Sequence, residues 1–130
     1  MRRLLLLCAL SLAAPASGQG QPEWRIASER DILLRPWAYE PRSIRLEADR
    51  PVRLRFVNQG QATHSFSAPR FFRNARLRAR DRDVALRGGL RLRPGERRTI
   101  ALVPAPGRYR VHSANLAQRM LGMSGEIIVS

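Results

Sequence analysis

A chain whose single cysteine, Cys8, lies inside an apolar leader must hold itself together without disulfides once that leader is removed. Arg2 and Arg3 precede an apolar run from Leu4 to Ala14, and small residues follow at Ala14-Pro15-Ala16 and Ala16-Ser17-Gly18. This layout predicts a signal peptide over residues 1–18, cleaved near 16–18, and a periplasmic or secreted protein. Leu7 stands where a lipoprotein signal wants a small residue, so Cys8 is not read as a lipidation site. The mature chain, 19–130, then offers no thiolate as nucleophile or as metal ligand. Its length suits a single domain that buries roughly two-thirds of its unfolded surface, and stability has to come from that burial. No later run approaches the ~18 apolar residues of a membrane span, so no transmembrane segment is expected in the mature protein.

The apolar residues available for burial recur with a period of two. Ile44 and Leu46 alternate with Arg45 and Glu47; Val52, Leu54 and Phe56 alternate with Arg53 and Arg55; Leu90 and Leu92 alternate with Arg91 and Arg93. Between Arg98 and Val103, Thr99, Ala101 and Val103 take one face and Ile100 and Leu102 the other. Turn chemistry separates these runs at Asp49-Arg50-Pro51, Asn58-Gln59-Gly60, Pro94-Gly95-Glu96 and Pro104 to Gly107. Trp24 to Ser28 reads as a first short strand, and Leu33 to Pro41, with Pro36 and Pro41, as an extended edge segment. In Ala62 to Ala68, His64 and Phe66 share a face. Pro69 to Asp83 breaks the alternation and suits one short helix around residues 70–80. Short strands with Pro/Gly turns predict an all-β chain, a Greek-key antiparallel β-sandwich.

All basic side chains are arginine, 24 of them, with no lysine. Without Arg2 and Arg3, 22 arginines face ten acids, an excess of 12. Such an excess raises an anionic surface as a partner. The arginines alternate along strands and the bias covers the whole chain, which reads as solvated strand faces rather than a binding stripe. Nucleic acid is not expected among the partners. Two histidines, no mature cysteine, no acid cluster, no Ser-centred elbow and no phosphate loop argue against an enzyme. Asp81 and Asp83 read as charge balance among arginines.

Gly107 to Ser130 carries the remaining signal. Tyr109, Val111 and Ser113 alternate with Arg108, Arg110 and His112, then a loop leads to Gly122-Met123-Ser124-Gly125 and the apolar run Ile127 to Val129. Taken in order with Tyr39-Glu40-Pro41, Val52 to Asn58, Thr63-His64-Ser65-Phe66, Leu92-Arg93-Pro94-Gly95-Glu96 and Gly107-Arg108-Tyr109, this stretch resembles the cupredoxin family. The likeness is to its small exported plastocyanin-like and azurin-like members, and it spans most of the mature chain.

The resemblance implies a cupredoxin-like β-sandwich and, in working relatives, a blue-copper centre of two imidazoles, one thiolate and a weak axial methionine. His64 matches the early histidine and Met123 the methionine. Ser113 and Gln118 stand where relatives carry the cysteine and second histidine, so they mark degenerate ligand positions. His112 and Met120 are neighbouring candidates; strand parity puts His112 on the face opposite Ser113. His64 either ligates metal or is held by hydrogen bonds, and Met123 either ligates or plugs the loop. The expected function is that of an exported binding or accessory module that has lost a blue-copper centre. The alternatives are a periplasmic copper-binding protein, a Cu(I) carrier or copper-handling accessory using His64 and Met123, and a basic polyanion-binding module. The expected cofactor is none, or copper bound weakly at a non-blue site; the expected partner is another protein or a copper ion.

Overall fold

A computed structural model describes residues 22–130; the signal-peptide reading over 1–18 lies outside them. The strands are β1 (Ser28–Arg35), β2 (Ala38–Glu40), β3 (Ser43–Leu46), β4 (Val52–Asn58), β5 (His64–Ser67), β6 (Arg76–Leu77), β7 (Gly89–Leu92), β8 (Arg97–Val103), β9 (Gly107–His112) and β10 (Ser124–Val129). Three short helices join them: α1 (Pro69–Asn74), α2 (Arg82–Arg87) and α3 (Leu116–Met120). The strands form two five-stranded sheets, ordered β2-β1-β4-β8-β6 and β3-β10-β9-β5-β7.

The expected β-sandwich is present, with one refinement. Most neighbours run antiparallel, but β1 pairs β4 in parallel and β3 pairs β10 in parallel. The cause is the crossing at Pro41. β3 belongs to the second sheet, so the chain re-enters the first at β4 running in the same direction as β1.

Alternation accounts for most of the burial. Leu54 and Phe56 are buried while Arg53 and Arg55 are half-buried on the outer face, where Arg55 donates to both oxygens of Asp31 at 2.9 Å. β8 departs from the expected two-faced pattern, because Ile100, Ala101 and Leu102 are all buried. Its edge is covered by the 76–81 segment: Arg78 N–H donates to Ala101 O at 2.9 Å and Asp81 Oδ2 accepts from Ala101 N–H at 3.0 Å. Asp81 and Asp83 thus do structural work, Asp81 with Arg78 at 2.9 Å and Asp83 in a two-toothed pair with Arg98 at 2.7 and 2.9 Å. The Arg98 hydrogen bond holds the Asp83 carboxyl below its usual range.

Trp24 to Ser28 is not a strand. Trp24–Ile26 forms one 3-10 turn and Ile26 is exposed, since β1 acquires a partner only where Ser28 meets Val52. The expected helix around 70–80 is broken in two: α1 ends at Asn74, β6 intervenes, and helical structure resumes at Ala79 and continues through α2. Gly88, at φ 72°, closes α2 in the left-handed conformation that a residue with a Cβ resists. α1 turns Phe71 and Phe72 inward, where ring contacts join them to the core: Phe72 to Phe66 at 6.2 Å and Phe71 to Tyr109 at 5.4 Å between centroids. Phe66 lies at the middle, also meeting Phe56 at 4.8 Å and Tyr39 at 5.3 Å edge to face.

Candidate functional site

One end of the sandwich collects the residues that the sequence singled out. Asn58, the last residue of β4, fastens the loop that follows. Its Nδ2 donates to Ala62 O at 2.8 Å and Leu92 O at 2.9 Å, and its Oδ1 accepts from Gly60 N–H at 2.8 Å. That loop delivers His64 to the start of β5, with 4% of its surface exposed. Gly60 has no side chain because the imidazole occupies its space: a Cβ there would lie 2.5 Å from His64 Nε2. The His64 Nδ1 is buried and has no hydrogen-bond partner.

Opposite, the chain leaves β9 at Ser113, which is fully buried. Its Oγ donates to Gln118 Oε1 at 2.7 Å, an assignment forced by the amide oxygen being only an acceptor. With that proton spent, the 3.2 Å contact between Ser65 and Ser113 takes its proton from Ser65. Ser113 Oγ also accepts from Asn115 N–H at 3.1 Å, and Ser65 Oγ accepts from Ala114 N–H at 2.7 Å. Gln118 Nε2 donates to Thr63 O at 3.4 Å. The residues on both sides of His64 are therefore tied to the Ser113–Gln118 pair.

α3 holds Gln118 in place. Asn115 caps it, its Oδ1 accepting from Ala117 N–H at 2.9 Å and Gln118 N–H at 3.3 Å. Arg119 Nε donates to Ser113 O at 3.2 Å, and Met123 N–H donates to Gln118 O at 3.0 Å. Met123 is fully buried beneath this loop. Tyr39 closes the inner side, donating its hydroxyl to Ser65 O at 2.6 Å; burial pushes its phenol above the ordinary range.

The four candidate ligands are thus divided. His64 and Met123 are buried at this end, Met120 is 78% exposed on α3, and His112 lies on the outer face of its sheet, paired across the ladder with Ser124. Burial, and then Arg119, lowers the His112 pKa from its ordinary value. Among the described residues no group of three or more His, Cys, Asp or Glu is placed to hold a metal, and no helix is long and apolar enough to cross a membrane. Sequence reasoning missed Ser65, whose position opposite His64 in strand parity suggests solvent; the 114–118 loop covers it instead. It also missed the Asn115 cap, for which Asn before Leu116 was an available signal.

The sequence matches the cupredoxin-like domain over residues 2–129. Auracyanin B is 23% identical, with 80% of this chain and 89% of that chain covered and a TM-score of 0.58. Dithionite-reduced auracyanin from the photosynthetic bacterium Roseiflexus castenholzii is 20% identical over 80% of this chain and 98% of that one, again at a TM-score of 0.58. A multi-copper oxidase from Pseudomonas Thermotolerans shares 16% identity over 81% of this chain but only 30% of its own length, at a TM-score of 0.62. No curated protein sequence matches this chain. At these identities the structural likeness speaks for the fold, and the match over nearly the whole sequence for the family: the chain belongs to the cupredoxin-like domain family.

Proposed function

We propose that this protein is an exported binding or accessory module, a single domain over 19–130 that is neither an enzyme nor a blue-copper electron carrier. The observation that carries this reading is the buried 2.7 Å hydrogen bond from Ser113 to Gln118. A blue-copper ion takes a thiolate, two imidazoles and a weak thioether. The residues here do not fit it. Ser113 presents a neutral hydroxyl whose proton is committed to Gln118, and Gln118 presents an amide oxygen already in use. The end of the sandwich is held by a polar network of Ser65, Ser113 and Gln118 that satisfies its own buried groups, as a stable interior requires.

One observation favours a second reading, a Cu(I) carrier. His64 Nδ1 is buried without a partner, and such a group is costly unless something meets it. With the Met123 thioether it would make a soft two-donor set suited to Cu(I).

Anaerobic titration of the mature protein with Cu(I) against a colorimetric chelator separates the two. The first reading expects no stoichiometric retention. Stoichiometric Cu(I) that is lost in both His64→Ala and Met123→Leu would replace it with the second.

A further inference from the structure

The excess of arginine is not spread evenly over the two sheets. On the outer face of β1 and β4, acids answer the arginines: Arg53 meets Glu29 at 3.2 Å, and Arg55 meets Asp31 at 2.9 Å. The outer face of the other sheet is different. Arg42, just before β3, Arg110 on β9 and Arg119 on α3 line one open groove together with His112. Among the described residues none of these three guanidinium groups has an ion-pair partner, whereas Arg35, Arg50, Arg78 and Arg98 do. Among the described residues the only acid lining the groove is Glu126, which accepts from Ser43 Oγ at 3.4 Å. Three fixed positive charges against one carboxylate leave an uncompensated excess in a concave site.

We infer that this groove, built by Arg42, Arg110 and Arg119 with the hydroxyls of Ser43 and Ser124, binds a phosphate-type oxyanion, free or carried on a lipid headgroup. The guanidinium fork matches phosphate oxygens in pairs, and bonds between ionised partners are the strong ones. The arginines come from three separate segments, so they surround a ligand rather than line up along a strand. Among the described residues no Phe, Tyr or Trp lines the groove, so it lacks the extended stacking platform that single-stranded nucleic acid uses. Arg42 and Arg110 make no side-chain hydrogen bond among the described residues, so both are free to turn onto a ligand.

His112 supplies a built-in reporter. The groups around it are Arg110 on its own strand, Arg119 from α3, Arg42 from the segment before β3, Ser124 and Glu126 from β10, and Ser67 across the ladder in β5. An anion seated in the groove changes the field at the imidazole, so the His112 ring resonances report whether the groove is occupied.

The test is an NMR titration of the mature protein with inorganic phosphate at one fixed pH, following the His112 ring resonances, with chloride at matched ionic strength as reference. Saturable movement of the His112 ring resonances with phosphate, and none with chloride, is expected. Arg42→Gln with Arg110→Gln should weaken binding about tenfold, equivalent to ~1.4 kcal/mol. Arg73→Gln with Arg97→Gln, exposed arginines on α1 and β8, should change it less than about twofold. A second arm adds phosphatidylcholine vesicles with and without phosphatidic acid. Co-sedimentation that requires phosphatidic acid and is lost in the groove variant assigns the headgroup, and saturation by free phosphate alone assigns the free ion. Linear, unsaturable shifts in phosphate together with no groove-dependent vesicle binding would overturn the proposal. So would equal losses in the two double variants, the signature of diffuse attraction by net charge.

Discussion

Phe66→Ala is expected to destabilise the protein by about 3–5 kcal/mol, the range for removing a buried phenyl ring from a close-packed core. The upper part of that range applies because three other rings, Tyr39, Phe56 and Phe72, lean on this one edge to face. They belong to β2, β4 and α1, so the ring joins both sheets to the helical excursion, and a collapse that fills the cavity would have to move all three. Phe66 also pairs with Leu90 across β5 and β7, which limits how far its own backbone can shift. Urea unfolding followed by circular dichroism measures the effect through the midpoint. A loss below ~1.5 kcal/mol would mean that the aromatic cluster relaxes and that the core is held elsewhere.

Asn58→Ala is the second large effect, about 3 kcal/mol, with a different cause. The amide makes three hydrogen bonds, those to Leu92 O and Gly60 N–H buried and that to Ala62 O part-buried, and truncation leaves all three groups without that partner. Unsatisfied buried groups cost about 1–3 kcal/mol each, less where water enters, so the sum stays below three full penalties. The backbone of Asn58 also holds the 93–96 turn, accepting from Gly95 N–H at 2.9 Å and donating to Glu96 O at 3.0 Å. Asn58→Asp separates side chain from backbone, since it keeps the acceptor for Gly60 and loses both donors. The His64 ring resonances should move in both variants, because the loop that these bonds fasten sets the ring against Gly60. Unchanged His64 resonances with a loss below ~1 kcal/mol would contradict this role for Asn58.

How much of this was legible beforehand differs between strand and loop. β9 was readable residue by residue, because a period of two leaves no choice: Tyr109, Val111 and Ser113 are buried, and Arg108 and Arg110 are exposed. The same parity put His112 on the outer face, away from Ser113. Parity failed at β8, where a segment distant in sequence covers the second face, and at Ser65, where the 114–118 loop does the same. Both are tertiary events that no local pattern contains. The parallel pairings were hidden because strand direction depends on which sheet the chain visits in between, and Pro41 marks the crossing without saying where it leads. The partner of Gln118 was within reach of sequence once the family resemblance placed it beside Ser113, but the Asn58 bonds reach from residue 58 to 92 and needed the fold. Alternation along the strands predicts arginines on solvated faces; their pairing with acids on the outer face of β1 and β4, and the convergence of three of them on a single carboxylate beside β9, exist only in three dimensions.

We propose that Ser113 and Gln118 occupy the cysteine and histidine positions of a cupredoxin scaffold that otherwise persists around His64 and Met123. The most direct measurement is the visible spectrum of the Ser113→Cys, Gln118→His double variant, folded and titrated with Cu(II) beside the parent. An intense thiolate-to-copper band is expected in the variant and none in the parent. A variant that keeps the parent's circular dichroism and stability yet stays colourless at saturating copper would contradict it, since the restored thiolate and imidazole would then not converge with His64 and Met123.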